Sequence, residues 1–404
     1  MAHWNARHGQ ISAVDISMAM LSIAVLLLFA PAQSQAQTLT ALHNFTEGND
    51  GGGPIAGVTL DQQGRIYGTT DEGGSSRLGV VYRLVRSGEG WTLTTLHTFQ
   101  GAPNDGNDSI ARVVFGPDGT LYGTTYLGGT FDAGIVFNLR PPATVCKTVL
   151  CPWTETVLHS FSGDGPDGGY PSYGDLNFDA SGNIYGTASG GGAFGQGVVF
   201  KLTRSGSEWT ESVLWNFTRG DDGENPQSGV IFDSAGNLYG TATSTVYELS
   251  PSPAGWTETT LYTATDQDNG EATGGLVMDA NGNLFGLTGD QGPGEAYELS
   301  FAGGQWNFTR LQTFTGQYPG PRGAPTLDAQ GNLYGSLPTY GEDGEIFKLM
   351  PSGGGWTYTH FFDFDNSNGA NPLGAVLFDG NGNMYGTAYA GGTHFSGTVW
   401  EITP

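Results

Sequence analysis

Apolar positions in this chain come in short bursts separated by turn residues. Between residues 228 and 262 four bursts follow one another: Ser228–Asp233 (SGVIFD), Asn237–Thr241 (NLYGT), Thr245–Leu249 (TVYEL) and Trp256–Tyr262 (WTETTLY). Each has strand length, is rich in β-branched and aromatic residues, and partly alternates, so each predicts a β-strand. The spacers read as turns. Asp233–Asn237 (DSAGN) opens with Asp and carries a Gly that tolerates positive φ, and Ser250–Gly255 (SPSPAG) is a second hairpin connection.

The same set of bursts recurs along the chain. Gly68–Tyr82 (GTTDEGGSSRLGVVY), Gly123–Phe137 (GTTYLGGTFDAGIVF), Gly186–Phe200 (GTASGGGAFGQGVVF) and Gly386–Trp400 (GTAYAGGTHFSGTVW) share one spacing, and shorter relatives start at Gly240, Gly286 and Gly335. Four antiparallel strands repeating every ~50 residues is the period of a β-propeller blade. A stack of sheets with open ends is the competing architecture. The last repeat stops at its third strand, Thr398–Thr403, while Thr38–Phe45 (TLTALHNF) matches the fourth strands Thr92–Phe99, Thr154–Phe161 and Thr210–Phe217. The two segments complete one blade between them, which closes a ring and removes exposed sheet edges. The expected fold is therefore all-β: a seven-bladed β-propeller of four-stranded antiparallel blades over 37–404, with repeats starting near 38, 92, 154, 210, 257, 307 and 357.

Other recurrent residues predict scaffold. Trp91, Trp153, Trp209, Trp256, Trp306 and Trp356 open the outer strands, where an indole can cover the seam between blades. Tyr67, Tyr122, Tyr185, Tyr239, Phe285, Tyr334 and Tyr385 recur in the second strand, each followed by a glycine expected to mark close approach of adjacent sheets. His43, His97 and His159 share a position that is Trp215, Tyr262, Gln312 or Phe362 elsewhere, which predicts packing rather than metal ligation.

Composition adds a setting. Residues 1–36 have a polar start with Arg7 and His8, an apolar run from Ala19 to Ala30, and small residues at Ser34 and Ala36. That is the layout of a secretory signal peptide cleaved after Ala36, with an apolar run short for a membrane span. The expected product is a bacterial protein, extracellular or periplasmic, monomeric, with no membrane span after cleavage. A formal net charge of −25 with three lysines argues against nucleic acid and anionic membranes as partners. Cys146 and Cys151, the sole cysteines, lie close together in an inserted loop and are expected to form a local disulfide.

At its repeat motif the chain resembles the GloVer family, a choice-of-anchor tandem repeat named from Gloeobacter and Verrucomicrobia. The hallmark Leu-Tyr-Gly-Thr-Thr-x-x-Gly-Gly leading to Gly-x-Val-Phe is matched by Leu121–Gly129 (LYGTTYLGG) and Gly134–Phe137 (GIVF). The resemblance covers nearly all of the chain after residue 36 and implies an exported, surface-associated protein with no particular reaction. The stop at Pro404, directly after a strand, favours an unanchored form. Ser205–Thr210 (SGSEWT) and Ser352–Thr357 (SGGGWT) are similar to the Asp-box turns of sialidases but lack the aspartate, and no arginine motif accompanies them.

In such a blade the loops alternate between two faces. The Gly-Gly loops and the inter-blade connections share the variable face, where binding residues are expected. The full-length Gly-Gly loops of repeats seven, one, two and three should stand side by side, walling one side of the central opening above the short loop at Gly240–Tyr247. They carry Tyr126, Phe131, Asp132, Phe194, Tyr389, His394 and Phe395, with Asp71 and Glu72 among them. Aromatic faces beside carboxylates suit a glycan, and a cell-surface protein is the alternative ligand. The Asx-Gly turns of the inter-blade loops (Asp50, Asp105, Asp167, Asp222, Asn269 and Asn368) could supply oxygens to Ca²⁺, although their spacing makes no complete calcium loop. No cofactor motif and no catalytic signature is present; a carbohydrate-active enzyme using loop carboxylates and a purely structural surface protein are the other readings.

Overall fold

The structure, a computed structural model, describes residues 37–142, 153–264, 274–289, 294–314, 323–339 and 343–404. The signal segment and Cys146 and Cys151 lie outside these residues. Thr38–Thr403 is one compact unit. Its described residues form seven four-stranded antiparallel sheets and no helix. No helix among them is long and apolar enough to cross a membrane.

Blade one, from the channel outward, is Thr59–Leu60, Ile66–Thr70, Val80–Ser87 and Gly90–Thr98. Five more blades repeat it. The seventh takes Leu377–Phe378, Met384–Ala388 and Thr398–Thr403 from one end of the unit and Thr38–Asn44 from the other, with Leu39 opposite Ile402 and Ala41 opposite Trp400. The predicted ring closure is thus a ladder of backbone hydrogen bonds.

The outer ladder of each blade slips by one residue at one place, as between Val81 and Tyr82. The extra residue there, Leu96, is buried. A bulge twists the strand and here adds a leucine to the core.

Seams between blades are aromatic. Tyr67 packs edge-on to Phe115 and beside Trp153 of the next blade, and Tyr122 does the same with Phe178 and Trp209. Each hydroxyl reaches the turn of its own blade: Tyr67 to Asp61 at 3.1 Å, Tyr185 to Asp179 at 3.1 Å, Tyr334 to Asp328 at 3.1 Å. One tyrosine therefore ties a turn to a sheet and a sheet to its neighbour.

The glycine after each of these aromatics has a different cause from the one expected. It accommodates a ring from its own blade, not an approaching sheet. A Cβ at Gly68 would lie 2.3 Å from the Tyr82 hydroxyl, and one at Gly386 would lie 2.3 Å from Trp400. Those rings in turn meet the phenylalanine that follows the preceding outer strand, as Phe45 meets Tyr82 and Phe364 meets Trp400. The phenols of Tyr82, Tyr247 and Tyr297 are buried there without a hydrogen-bond partner.

Candidate functional site

Turns such as Asp61–Arg65 and Ser87–Gly90 lie at one end of the blades, and the Gly-Gly loops and inter-blade loops lie at the other. On that second face the two loop types are knitted together. Gly52 bridges Glu72, Gly106–Asn107 pairs with Leu127–Gly128, Gly169 bridges Gly190, and Ala370 bridges Ala390. The approach is close: Gly73 (φ 78°) would put a Cβ 2.6 Å from the Cα of Gly51. The Asx-Gly and Gly-Gly motifs recur together because they are two halves of one contact.

The Asx-Gly carboxylates hold this contact in place. Asp105 accepts hydrogen bonds from His97 Nε2 (3.1 Å) and from the backbone N–H groups of Gln100 (2.8 Å) and Gly106 (2.6 Å). His43 and His159 meet Asp50 and Asp167 in the same way, at 3.0 and 3.1 Å. Trp215 Nε1 donates to Asp222 at 3.2 Å. In these four blades the shared outer-strand position is therefore a packing position with an added role, a ring N–H that clamps the next loop. Of the oxygens considered for Ca²⁺, those of Asp50, Asp105, Asp167, Asp222 and Asn368 are engaged in such hydrogen bonds, and Asn269 lies outside the described residues.

The residues predicted as a ligand site separate into two groups. Loop tips are anchored to the outermost strand: Thr130 N–H to Ser160 Oγ (2.7 Å), Ala193 N–H to Asn216 Oδ1 (2.7 Å) and Thr393 N–H to Asn44 Oδ1 (2.9 Å). Phe131, Phe194, His394 and Phe395 consequently stand on the rim rather than around the central opening. Phe131, Phe194 and Phe395 are 62%, 59% and 71% exposed. Asp132 is also at a tip, in the left-handed region, and its carboxylate accepts the Gly128 N–H at 2.9 Å. Tyr126, near the start of its loop, lies on the channel side, and Tyr389, at the equivalent loop position, packs over Gly53.

Tyr126 borders a depression of about 500 Å³ with Tyr170, Tyr173, Ser189, Asn225 and Gln227. Its ring stands 5.6 Å from that of Tyr170, inclined at 46°. Tyr173 and Gln227 also line the central channel, so the two spaces adjoin. Ser189 Oγ fixes the floor by donating to Tyr170 O at 2.8 Å.

Two departures from the repeat create this space. Tyr170 has φ 60°, at the position that Gly53, Asp108, Asn225 and Asn371 fill in other blades with positive φ. Left-handed backbone suits Gly, Asn and Asp, and a bulky aromatic there is an outlier. Downstream, the segment Ser172–Asp175 is one residue longer than its counterparts. In five other blades a second-strand hydroxyl donates to a carbonyl just before the neighbouring inner strand, as Thr187 Oγ1 does to Ser228 O at 2.7 Å. Its equivalent at this seam, Thr124 Oγ1, is buried without a partner.

Tyr126 and Tyr389 each lie beside an acidic residue, Asp108 and Asp71. Tyr126 N–H donates to Asp108 O at 2.9 Å. Burial, then Glu72 and Asp108, push the Asp71 carboxyl up to about 7. Burial, then Asp132 and Glu72, also raise Asp108. Burial together with Asp71, Glu72 and Glu47 raises the Tyr389 phenol. Asp71 Oδ1 and Asn107 Oδ1 are buried acceptors without a donor. Tyr170, Tyr173, Asp108, Asn225 and Gln227 were not among the expected site residues. The signal that marks Tyr170, Tyr173 and Gln227 is their difference from the other copies, not any motif; Asp108 and Asn225 carry no such signal.

Among the described residues two groups bring metal-ligating atoms within 4.8 Å of one another: His97, Asp105 and Glu155, and Glu345, His360 and Asp363. In the first, a seam between blades one and two, burial and then Asp105 push the Glu155 carboxyl up to about 8. A related pair at the next seam has Glu211, raised to about 7 by burial and then by Asp167.

Several solved structures are similar to this chain. The extracellular domain of a protein assigned as a one-component system from B. thetaiotaomicron matches with TM-score 0.52 and 12% identity over 90% of this chain, which spans 40% of that chain's length. The polysaccharide lyase Uly1 matches with TM-score 0.49 and 12% identity, covering 94% of this chain and 95% of its own. A protein from Thermus thermophilus described as an oxidoreductase (glucose dehydrogenase) matches with TM-score 0.44 and 14% identity, covering 76% and 99%. No curated protein matches. The model of the Gloeobacter/Verrucomicrobia repeat matches residues 28–156, 144–292 and 242–404, so the chain belongs to the Gloeobacter/Verrucomicrobia repeat family.

Proposed function

We propose that this protein is an exported propeller that recognises carbohydrate on its variable-loop face. The observation that carries the reading is the depression walled by Tyr126, Tyr170 and Tyr173 with the amides of Asn225 and Gln227 beside it. Sugars present apolar C–H faces and rings of hydroxyls at once. Aromatic walls with a few placed polar groups meet both demands. The strained Tyr170 supports it, because backbone of that kind persists where it serves a site. The exposed rim phenylalanines extend the reading to a chain longer than the depression.

A glycan panel followed by titration calorimetry tests the proposal. Tyr126→Ala and Tyr173→Ala should each weaken binding about tenfold or more, as loss of a central aromatic contact does, while Phe194→Ala should act weakly. Full binding by the double tyrosine variant would overturn the assignment. A carbohydrate-active enzyme is the second reading, and one observation favours it: Asp71, held near 7, could donate a proton at neutral pH. New reducing or unsaturated ends on incubated polysaccharide, lost in Asp71→Asn, would select it.

A further inference from the structure

We infer that one sugar unit of the ligand passes from the tyrosine-lined depression into the central channel, where the ion pair of Arg112 and Asp175 holds two neighbouring hydroxyls of a neutral sugar. The inference rests on the carbohydrate reading of that depression and adds a second subsite with its ligand class.

Two residues before its inner strand, every blade contributes one residue to the wall of the channel. Five blades place glycine or alanine there. At Gly57 and Gly229 a Cβ would lie 2.4 Å from Ala375 O and 2.3 Å from Asp175 O, so the neighbouring backbone leaves no room for a side chain. Blades two and three instead carry Arg112 and Asp175, the only charged residues among the described residues of the wall. Arg112 Nε (2.9 Å) and Nη2 (2.6 Å) both donate to Asp175 Oδ2. Arg112 Nη1 and Asp175 Oδ1 make no hydrogen bond to the described residues, and the two side chains are 26% and 34% exposed, so a ligand can reach them. Tyr173, two residues before Asp175, borders both the depression and the channel, as Gln227 does. The channel encloses about 490 Å³, within the range of small-molecule sites.

A tie across the seam is the plainer role for this pair, since Thr124 lacks the bond that joins the sheets elsewhere. A tie does not require both residues to face the channel with one donor edge and one acceptor free. A vicinal diol uses both: one hydroxyl oxygen accepts from Arg112 Nη1, and the neighbouring O–H donates to Asp175 Oδ1, each bond charge-assisted. The pair as a whole is neutral, which sets the ligand class. A uronate would bring its carboxylate against Asp175, and an amino sugar its ammonium against Arg112. A neutral sugar meets both groups without repulsion, while the tyrosines above take the faces of the units that follow.

Calorimetry on the full chain tests the proposal with neutral hexaoses of glucose, mannose and galactose, a uronate hexamer and a glucosamine hexamer. At least one neutral hexaose should bind more tightly than both charged hexamers. Asp175→Asn keeps an oxygen for Arg112 but turns the other edge into an N–H donor, and should weaken that hexaose about tenfold, the loss of one hydrogen bond to a charged group. Exchanging the pair, Arg112→Asp with Asp175→Arg, keeps an ion pair across the seam and transposes its free edges, so it should weaken binding as well. Urea unfolding confirms that each variant is folded under the conditions of the titration. Parent affinity in Asp175→Asn or in the exchanged variant overturns the subsite and leaves the pair as a tie. A charged glycan that binds more tightly than every neutral one overturns the ligand class. In both cases a loss of binding in Tyr126→Ala leaves the depression standing as a glycan site. If no hexamer and no panel glycan binds the parent protein, the carbohydrate reading itself fails.

Discussion

Replacing Glu155 by Gln should stabilise the protein in alkaline buffer and leave it unchanged in acid. Glu155 stands at the seam of blades one and two, close to Asp105, and its carboxyl is raised from 4.5 to about 8 by burial and by that neighbour. The sign follows from proton uptake. Between pH 4.5 and about 8 the folded state binds a proton at Glu155 that the unfolded state has released. Stability from this group is therefore complete below the unfolded value and is lost as pH rises through the folded one. Asp105 is lowered, its burial outweighed by bonds from His97 and two backbone N–H groups, so it stays charged across the window. At ~1.4 kcal/mol per unit the shift sets a ceiling of ~5 kcal/mol at high pH. Partial hydration and relaxation around a half-buried carboxylate reduce this to ~1–3 kcal/mol. A glutamine keeps a donor toward Asp105 and never ionises. Urea unfolding of both proteins across the pH range measures the difference, with Glu211→Gln as a second case whose window closes sooner, near 7. A variant that loses stability equally at both ends of the range would refute the reasoning and leave Glu155 with a packing role.

Three further outcomes follow from the scaffold. Tyr82→Phe, Tyr247→Phe and Tyr297→Phe should each raise stability by ~1 kcal/mol in urea melts, because each removes a buried hydroxyl with no partner; Phe137, Phe200 and Phe347 already occupy that position in other blades. Gly386→Ala should cost ~2–3 kcal/mol, since its methyl would enter the Trp400 ring, and a variant as stable as the parent would show that the ring moves freely. Asp105→Ala should cost ~2–3 kcal/mol by stranding the Gln100 and Gly106 N–H groups along with His97. Hydrogen exchange should then quicken first in the loop from Gln100 to Asp108, and uniform quickening across the ring would contradict the clamp.

What the sequence makes legible is whatever seven copies must share. Strand lengths, turns, the closing strand and the seam tryptophans are set by local pattern and by burial between repeats, so the repeat pattern alone reveals them. The reason for a shared residue is less accessible. Gly68 and Gly386 look alike as small residues, and only the cross-strand register shows that each lies under a ring of its own blade. Side-chain direction within a loop is harder still. Tyr126 and Phe131 are five residues apart, yet one borders the depression and the other the rim, because Thr130 N–H is tied to Ser160 of the outermost strand. No periodicity encodes that bond. The proposed site is marked instead by the exceptions: a tyrosine where other blades place Gly, Asp or Asn in left-handed backbone, one added residue before Leu176, and a threonine that lacks the seam bond its counterparts make. A motif search discards such positions as noise around a consensus. In a repeat protein the consensus describes the scaffold, and the departures that cost stability are where a ligand has reason to bind.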